Sequence, residues 1–111
     1  MPRRKRLPLR WSATAERNLE SIHAYIAADS LLAADRFIAR IRRAAERLGN
    51  LPYSGEVLQE DERGQVREIY VKSYRVVYLR SEDDLFVLSV VHGARNLARD
   101  HGGVGGFDEP A

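Results

Sequence analysis

Five residues in the second half of the chain have side chains suited to chemistry on a phosphodiester. Arg67, Lys72 and Arg75 lie on two apolar runs around one predicted turn. His92 and Arg95 lie at the end of the last apolar run. If these runs pair as strands, the five groups approach one surface or rim of a sheet. Several cations can hold a phosphate, and a histidine beside them can move a proton. Together these are the minimum for RNA cleavage without a metal, in which the 2′-OH attacks the adjacent phosphate.

The same residues also have an ordinary structural interpretation. Arg67 or Arg75 can pair across strands with Glu68 or with an acidic loop residue, and His92 can simply end a strand. Pairs of opposite charge are common between neighbouring strands. Spacing alone leaves both interpretations open, so that any catalytic residues stay unassigned.

The sequence contains no recognisable site for a metal ion or a cofactor. It has no cysteine, which excludes disulfides, thiolate catalysis and metal sites built on sulfur. The three histidines, His23, His92 and His101, do not stand at metal-ligand spacing. No glycine-rich loop of the phosphate-binding kind precedes a helix. We therefore expect neither a metal nor a cofactor.

Basic residues are concentrated in two further places. Arg36, Arg40, Arg43 and Arg47 recur at helical spacing, and a short basic arm spans residues 3–6. Both could contact phosphates, but the arginine row is equally the solvated face of a helix, and the arm could be unstructured. Because four of the eighteen basic residues lie in the arm, the rest of the chain is slightly acidic despite the net charge of +2.

Two segments have the apolar periodicity of amphipathic helices. The first begins after an N-cap at Ser12 and ends near Ala28. The second follows a cap at Asp29-Ser30 and runs from Leu31 to Leu48, after which Gly49 is expected to adopt the left-handed conformation. Because the connection is short, the two helices form an αα-hairpin.

Strand patterns lie before and after this hairpin. The predicted strands are Leu7 to Trp11, Val66 to Val71, Tyr74 to Leu79 and Leu85 to Val91, and the turn-rich segment Asn50 to Gly64 is predicted to be a loop. This order predicts an α+β fold. It consists of an N-terminal strand, an αα-hairpin and a three-stranded antiparallel meander, with the helices packed on one face of a small, mostly antiparallel sheet.

The length of 111 residues suits one soluble domain. We expect a basic flexible arm at residues 1–6, a single domain at 7–99 and a glycine-rich flexible tail at 100–111. No apolar run approaches the ~20 residues of a membrane span, and no apolar region of a signal peptide follows the basic start. The expected compartment is the cytoplasm, with no membrane partner.

The last predicted strand, Leu85 to Val91, is apolar on both faces. Such a strand is normally covered on both sides, whereas two helices can cover only one face of the sheet. An exposed apolar strip commonly marks a site for a partner. Alternatively, the loop Asn50–Gly64 or the tail folds over it.

An ordered set of short motifs resembles the RelE/ParE toxin superfamily. The match covers about residues 7–99, and the ParE branch, the plasmid-stabilisation toxins, is the most similar. The motifs are Leu9-Arg10-Trp11-Ser12-x-x-Ala15, Leu19-x-x-Ile22-x-x-Tyr25-Ile26, Ala34-x-x-Phe37, Leu48-x-x-Leu51-Pro52-x-x-Gly55, Val66-Arg67-Glu68-Ile69, Tyr74-Arg75-Val76-Val77-Tyr78 and Val90-Val91-His92-Gly93-Ala94-Arg95.

The resemblance implies a toxin of a type II toxin–antitoxin pair, with a helical hairpin on a small antiparallel sheet. A cognate antitoxin would neutralise it by laying its C-terminal segment on the toxin, giving a hetero-oligomer. This would occupy the sheet face that the helices leave open. The residues expected to contact the antitoxin are Tyr74, Val77, Leu79, Val87 and Val91.

The two branches imply different targets. ParE-type toxins act without catalysis by poisoning DNA gyrase, whereas RelE-type toxins cleave ribosome-bound mRNA without a metal. The nearest candidates for RelE-type catalysis are Arg67, Lys72, Arg75, His92 and Arg95. The sequence lacks the dense set of lysines of RelE, which favours the gyrase-directed branch. A third possibility is an inactive relative that serves only as a binding module.

Overall fold

The computed structural model describes residues 6–52, 55–57 and 65–93. The elements are β1 (Leu9–Trp11), α1 (Ala13–Ala27), α2 (Leu31–Arg47), β2 (Glu56–Val57), β3 (Val66–Val71), β4 (Tyr74–Arg80) and β5 (Leu85–His92). The strand order is β1-β5-β4-β3-β2, with β1 parallel to β5 and all other neighbours antiparallel. The predicted α+β fold is confirmed. The predicted tail and all of the predicted arm except Arg6 lie outside the described residues.

Two differences from the predicted strands exceed one residue. The segment 50–64 is not wholly a loop, because Glu56 and Val57 form β2 and pair with Glu68 and Arg67. Two residues are too few to produce a detectable alternation of apolar and polar side chains. At the other edge β1 begins at Leu9 rather than Leu7.

Both helix starts are confirmed by their caps. The hydroxyl of Ser12 accepts a hydrogen bond from the Ala15 amide at 3.0 Å, and that of Ser30 accepts one from Ala33 at 3.1 Å. Each bond satisfies an amide that the helix itself leaves unpaired.

The end of α2 differs from the prediction, because Gly49 is not in the left-handed conformation. Instead the helix closes with short-range bonds, including one from the Gly49 amide to the Glu46 carbonyl at 3.1 Å. Glycine is required here by a close approach, since a Cβ would lie 2.8 Å from the carbonyl oxygen of Leu7. The amide of Leu7 in turn donates to the Gly49 carbonyl at 2.9 Å, which attaches the start of the domain to the end of α2.

Polar contacts also join the two helices. The guanidinium of Arg42 on α2 bonds both carboxylate oxygens of Glu16 on α1, at 3.1 and 3.0 Å, and lies over the ring of Trp11. His23 Nε2 lies 2.7 Å from Asp35 Oδ1. No helix in the described part of the chain is both long enough and apolar enough to cross a membrane.

A β-bulge in β5 decides which of its side chains face the helices. Tyr78 pairs with Val87, whereas Val77 pairs with Ser89, so Leu88 is an extra residue. After such an insertion the alternation of faces shifts by one position. Val87 and Val90 therefore both pack against α1 and α2, and Leu88 and Val91 both lie on the opposite, outer face.

The outer face of the sheet is not the open apolar surface that the sequence predicts. Val77, Leu88 and Val91 are 0%, 4% and 5% exposed, and Leu79 and Phe86 pack against them. The expectation that this face is bare in the free chain is therefore wrong. Two helices cannot cover both faces of the sheet, but the burial of a side chain depends on every part of the fold that packs against it.

Tyr78 anchors the segment before β2 to the sheet. Its buried hydroxyl donates to the Pro52 carbonyl at 3.0 Å and accepts from the Gly55 amide at 3.1 Å. A Cβ on Gly55 would lie 2.6 Å from this hydroxyl, so a side chain there would separate the two. Burial raises the pKa of Tyr78 above its ordinary value of 10.0, although the bond from Gly55 and the charges of Arg67 and Arg80 act in the opposite direction.

This raised pKa predicts a loss of stability in alkali that Tyr78→Phe should remove. Above about pH 10 the unfolded chain releases the phenol proton, whereas the folded chain retains it to higher pH, so the free energy of unfolding falls as pH rises. Tyr78→Phe should cost about 1–3 kcal/mol at neutral pH, because the Gly55 amide and Pro52 carbonyl lose their partner. In exchange, its stability should decline less steeply above about pH 10.

Urea denaturation followed by circular dichroism between about pH 8 and pH 11 measures both effects. Tyr70→Phe is the matched control, since the Tyr70 side chain is exposed. Parallel pH profiles for the wild-type chain and Tyr78→Phe would contradict the assignment.

Candidate functional site

The arginines of the predicted phosphodiester cluster are engaged in structural contacts. Nε of Arg75 donates to Oε2 of Glu68 at 2.8 Å, and the two side chains are only 15% and 10% exposed. Nη1 of Arg67 donates to the Gly55 carbonyl at 2.9 Å. The structural interpretation of the sequence, a cross-strand ion pair with Glu68, is therefore confirmed for Arg75.

The register places these two arginines on different sides of the sheet. Arg67 lies opposite Tyr78, and Arg75 lies opposite Tyr70, three residues further along β3. Because side chains alternate along a strand, positions three apart point to opposite faces. The meander thus separates the two guanidinium groups by the sheet itself and by about 10 Å along it.

Lys72 and His92 lie at the same end of the sheet. Lys72 is exposed in the turn between β3 and β4, with a φ of 54°. His92 is exposed at the end of β5, where its ring meets the edge of Tyr74 at a centroid distance of 5.5 Å. Tyr74 in turn contacts Phe37 of α2 at 5.6 Å. Arg95, the fifth predicted member of the cluster, lies outside the described residues.

The five residues expected to contact an antitoxin do not share one surface. Tyr74 and Val87 pack on the helix side of the sheet, whereas Val77, Leu79 and Val91 belong to the outer face. Val77 and Val87 are fully buried, and Tyr74 and Leu79 are half-buried. Of the five, Tyr74 and Val91 also line an open groove.

This groove runs between the helical hairpin and the end of the sheet. It consists of two adjoining depressions of about 340 and 280 Å³ that share Tyr25 and Tyr74. We call it the hairpin groove. Its lining residues are Asn18, Ser21, Ile22, Tyr25, Ile26, Phe37, Lys72, Ser73, Tyr74, Val90, Val91 and His92.

Sequence reasoning missed Tyr25 as a candidate binding residue. Its side chain is 78% exposed, the most exposed of the large apolar or aromatic residues in the described ranges. A usable signal was present, because Tyr25 is an aromatic residue three positions after Ile22, at the edge of the apolar stripe of α1. An exposed aromatic side chain beside a groove provides a large contact area for a partner at a low cost in conformational entropy.

A row of arginines covers the solvent side of α2. Arg36, Arg40, Arg43 and Arg47 are all exposed, as the helical periodicity predicts. Lys72 lines one depression together with Arg36 and Arg40, so the row continues onto the β3–β4 turn. The groove thus offers aromatic and polar contacts, and the arginine row offers positive charge. Neither surface contains a group of three or more acidic or histidine side chains that could hold a metal, within the described ranges.

The sequence from residue 9 to residue 97 matches the model of a family described as the ParE toxin of type II toxin–antitoxin system, parDE. This match spans α1, α2 and every strand of the sheet. The chain belongs to the ParE toxin family. The resemblance inferred from the sequence motifs is therefore confirmed, and the fold described above is the ParE fold.

Solved structures have the same architecture. A chromosomal ParDE toxin–antitoxin system from P. aeruginosa matches with a TM-score of 0.64 and 16% identity, covering 78% of this chain and 95% of that one. The RelBE2 toxin–antitoxin complex from Mycobacterium tuberculosis matches with a TM-score of 0.61 and 21% identity, covering 78% and 98%. A conserved hypothetical protein of Helicobacter pylori matches with a TM-score of 0.52 and 21% identity, covering 80% and 97%. At these identities the likeness shows the ParE fold alone.

No curated protein gave a significant sequence match to this ParE-family chain.

Proposed function

We propose that this ParE-family toxin arrests growth by poisoning DNA gyrase and that a cognate antitoxin neutralises it. The observation that carries the choice of target is the Arg75–Glu68 ion pair, which is almost completely buried. A site that cleaves RNA without a metal needs cations that can stabilise the charge developing on the phosphate. A guanidinium held by a buried carboxylate is already neutralised, so Arg75 is poorly suited to that role.

The positions of the other candidates support the same choice. Arg67 bonds the Gly55 carbonyl, and the register of β3 and β4 directs it away from Arg75. Lys72 and His92 lie near the hairpin groove instead. This dispersal favours a toxin that acts by binding over a ribonuclease of RelE type.

For the antitoxin we propose the hairpin groove as the docking site, in place of the buried outer face. Tyr25 and Tyr74 form an open aromatic lining, and Ile22 and Phe37 lie beside them. An amphipathic segment of an antitoxin can place its apolar side chains in a groove of this kind. The expected complex is a toxin–antitoxin hetero-oligomer.

Expression of the chain alone from a tightly repressed promoter in bacteria tests the target. We expect growth arrest with induction of the DNA-damage response and gyrase-linked DNA breaks, while transcripts stay intact and translation initially continues. When the purified chain is added to gyrase and supercoiled plasmid, linear DNA should accumulate in a gyrase-bound form, from which detergent and protease release it. Co-expression of the small protein encoded by the neighbouring gene should restore growth, and Tyr25→Ala should weaken this rescue without reducing toxicity.

Each alternative gives a different result. Cleaved transcripts with intact DNA would support a RelE-type endoribonuclease and contradict the gyrase proposal. No effect on growth would support an inactive relative. Rescue of Tyr25→Ala equal to that of the wild-type chain would place the antitoxin elsewhere.

A further inference from the structure

The unpaired basic side chains of this protein are concentrated on one surface. Most described arginines take part in an ion pair or a hydrogen bond within the chain. Within residues 6–52, 55–57 and 65–93, five basic side chains have no such partner. They are Arg36, Arg40, Arg43 and Arg47 of α2, and Lys72 of the β3–β4 turn. We call this set the α2 basic face.

The arrangement of the α2 basic face is regular. Its four arginines are spaced by four, three and four residues, which places them along one side of the helix. At 1.5 Å per residue they span about 17 Å. Lys72 extends this line at one end, where it shares a depression with Arg36 and Arg40.

No acidic side chain in the described part of the chain forms an ion pair with these five groups. Like charges three or four residues apart on a helix repel one another. The two acidic residues of α2 are both engaged elsewhere, Asp35 with His23 and Glu46 with Arg6. The helix dipole favours the arginine in the last turn, Arg47, but gives no support to Arg36 or Arg40 further from that end. A bound polyanion would remove the repulsion along the whole row.

We propose that the α2 basic face binds the phosphate backbone of double-stranded DNA without regard to sequence. Guanidinium groups form paired hydrogen bonds with phosphate oxygens, and a straight row of them suits a regular backbone. Helix α2 itself carries no exposed aromatic side chain on which the bases of a single strand could stack. It also contains only hydrogen-bond donors, as a surface that contacts phosphates requires. This binding is a property of α2 and does not depend on gyrase as the target.

The test uses the full chain and a fluorescently labelled duplex of about 20 base pairs, titrated by fluorescence anisotropy at several salt concentrations. We expect micromolar affinity at low salt, with log K falling against log salt with a slope of about −4. The double variant Arg40→Gln/Arg43→Gln keeps good helix formers in place. It should bind at least about tenfold more weakly and reduce the slope by about 2.

The matched control is Arg10→Gln/Arg17→Gln, which removes the same charge from β1 and α1. It should weaken binding by less than about threefold, and both variants retain the basic arm at residues 3–6. Equal losses in the two variants would show a general charge effect and overturn the proposal. Absence of duplex binding, or tighter binding of single-stranded DNA, double-stranded RNA or polyglutamate than of the duplex, would overturn it as well.

Discussion

Arg75→Ala is expected to lower the free energy of unfolding by about 3–5 kcal/mol, because it leaves the carboxylate of Glu68 buried without its cation. Both side chains are at most 15% exposed, so water cannot replace the lost guanidinium effectively. For a domain of this size the melting temperature should fall by at least about 12 °C. Urea denaturation should show an earlier midpoint with an unchanged slope, as expected for a change in stability without a change in the area exposed.

A double variant separates the charge effect from the loss of packing. Glu68→Met/Arg75→Met removes both charges and fills a similar volume, so it should recover most of the stability that Arg75→Ala loses. If the double variant is as unstable as Arg75→Ala, the ion pair is not the cause. This result also matters for toxicity assays, because loss of toxicity in Arg75→Ala would follow from unfolding and would not identify a catalytic residue.

Ser12→Ala should lower the free energy of unfolding by about 2–4 kcal/mol, more than an ordinary N-cap. Its hydroxyl accepts from the Ala15 amide at the start of α1 and donates to the Leu88 carbonyl at 2.8 Å. Leu88 is the extra residue of the β5 bulge, so one buried side chain joins the helix to the irregular point of the sheet. Alanine would leave an amide and a carbonyl without a partner in a site closed to water.

The second N-cap of the chain is the matched control. Ser30 accepts from the Ala33 amide in the same way but is exposed, so Ser30→Ala should cost only about 1 kcal/mol. Thermal and urea denaturation of both variants measure the difference. Equal losses would mean that the bond to Leu88 contributes nothing beyond the cap.

The burial of the outer face argues against that face as the antitoxin-binding site of this ParE-family chain. Val77 and Leu88 are largely inaccessible in the free chain, so an antitoxin cannot reach them without a rearrangement. The hairpin groove, by contrast, is open and lies between the helical hairpin and the end of the sheet. The proposed antitoxin site and the α2 basic face adjoin at Lys72, which lines both, whereas the arginines of α2 lie outside the groove.

The sequence by itself determined the elements whose signals are local. The caps at Ser12 and Ser30 and the apolar stripes of α1 and α2 depend on residues within one or two turns of helix. The alternating runs around Lys72 likewise predicted the β3–β4 hairpin. The ordered motifs along the chain were also sufficient to indicate the ParE family, because they lie in these same elements and follow the same order.

Only the tertiary structure decided which side chains of these elements lie on the same face and which are exposed. Regular alternation would place Val87 and Val91 on one face, but the bulge at Leu88 separates them, and a bulge is visible only when β5 is paired with β4. From the sequence, Arg75 could either bind a phosphodiester or pair with Glu68, and the strand register decided for the pair. The exposure of Tyr25 and the burial of Val77 depend on distant parts of the chain. Faces and exposure are properties of strand register and packing, which no short stretch of sequence contains.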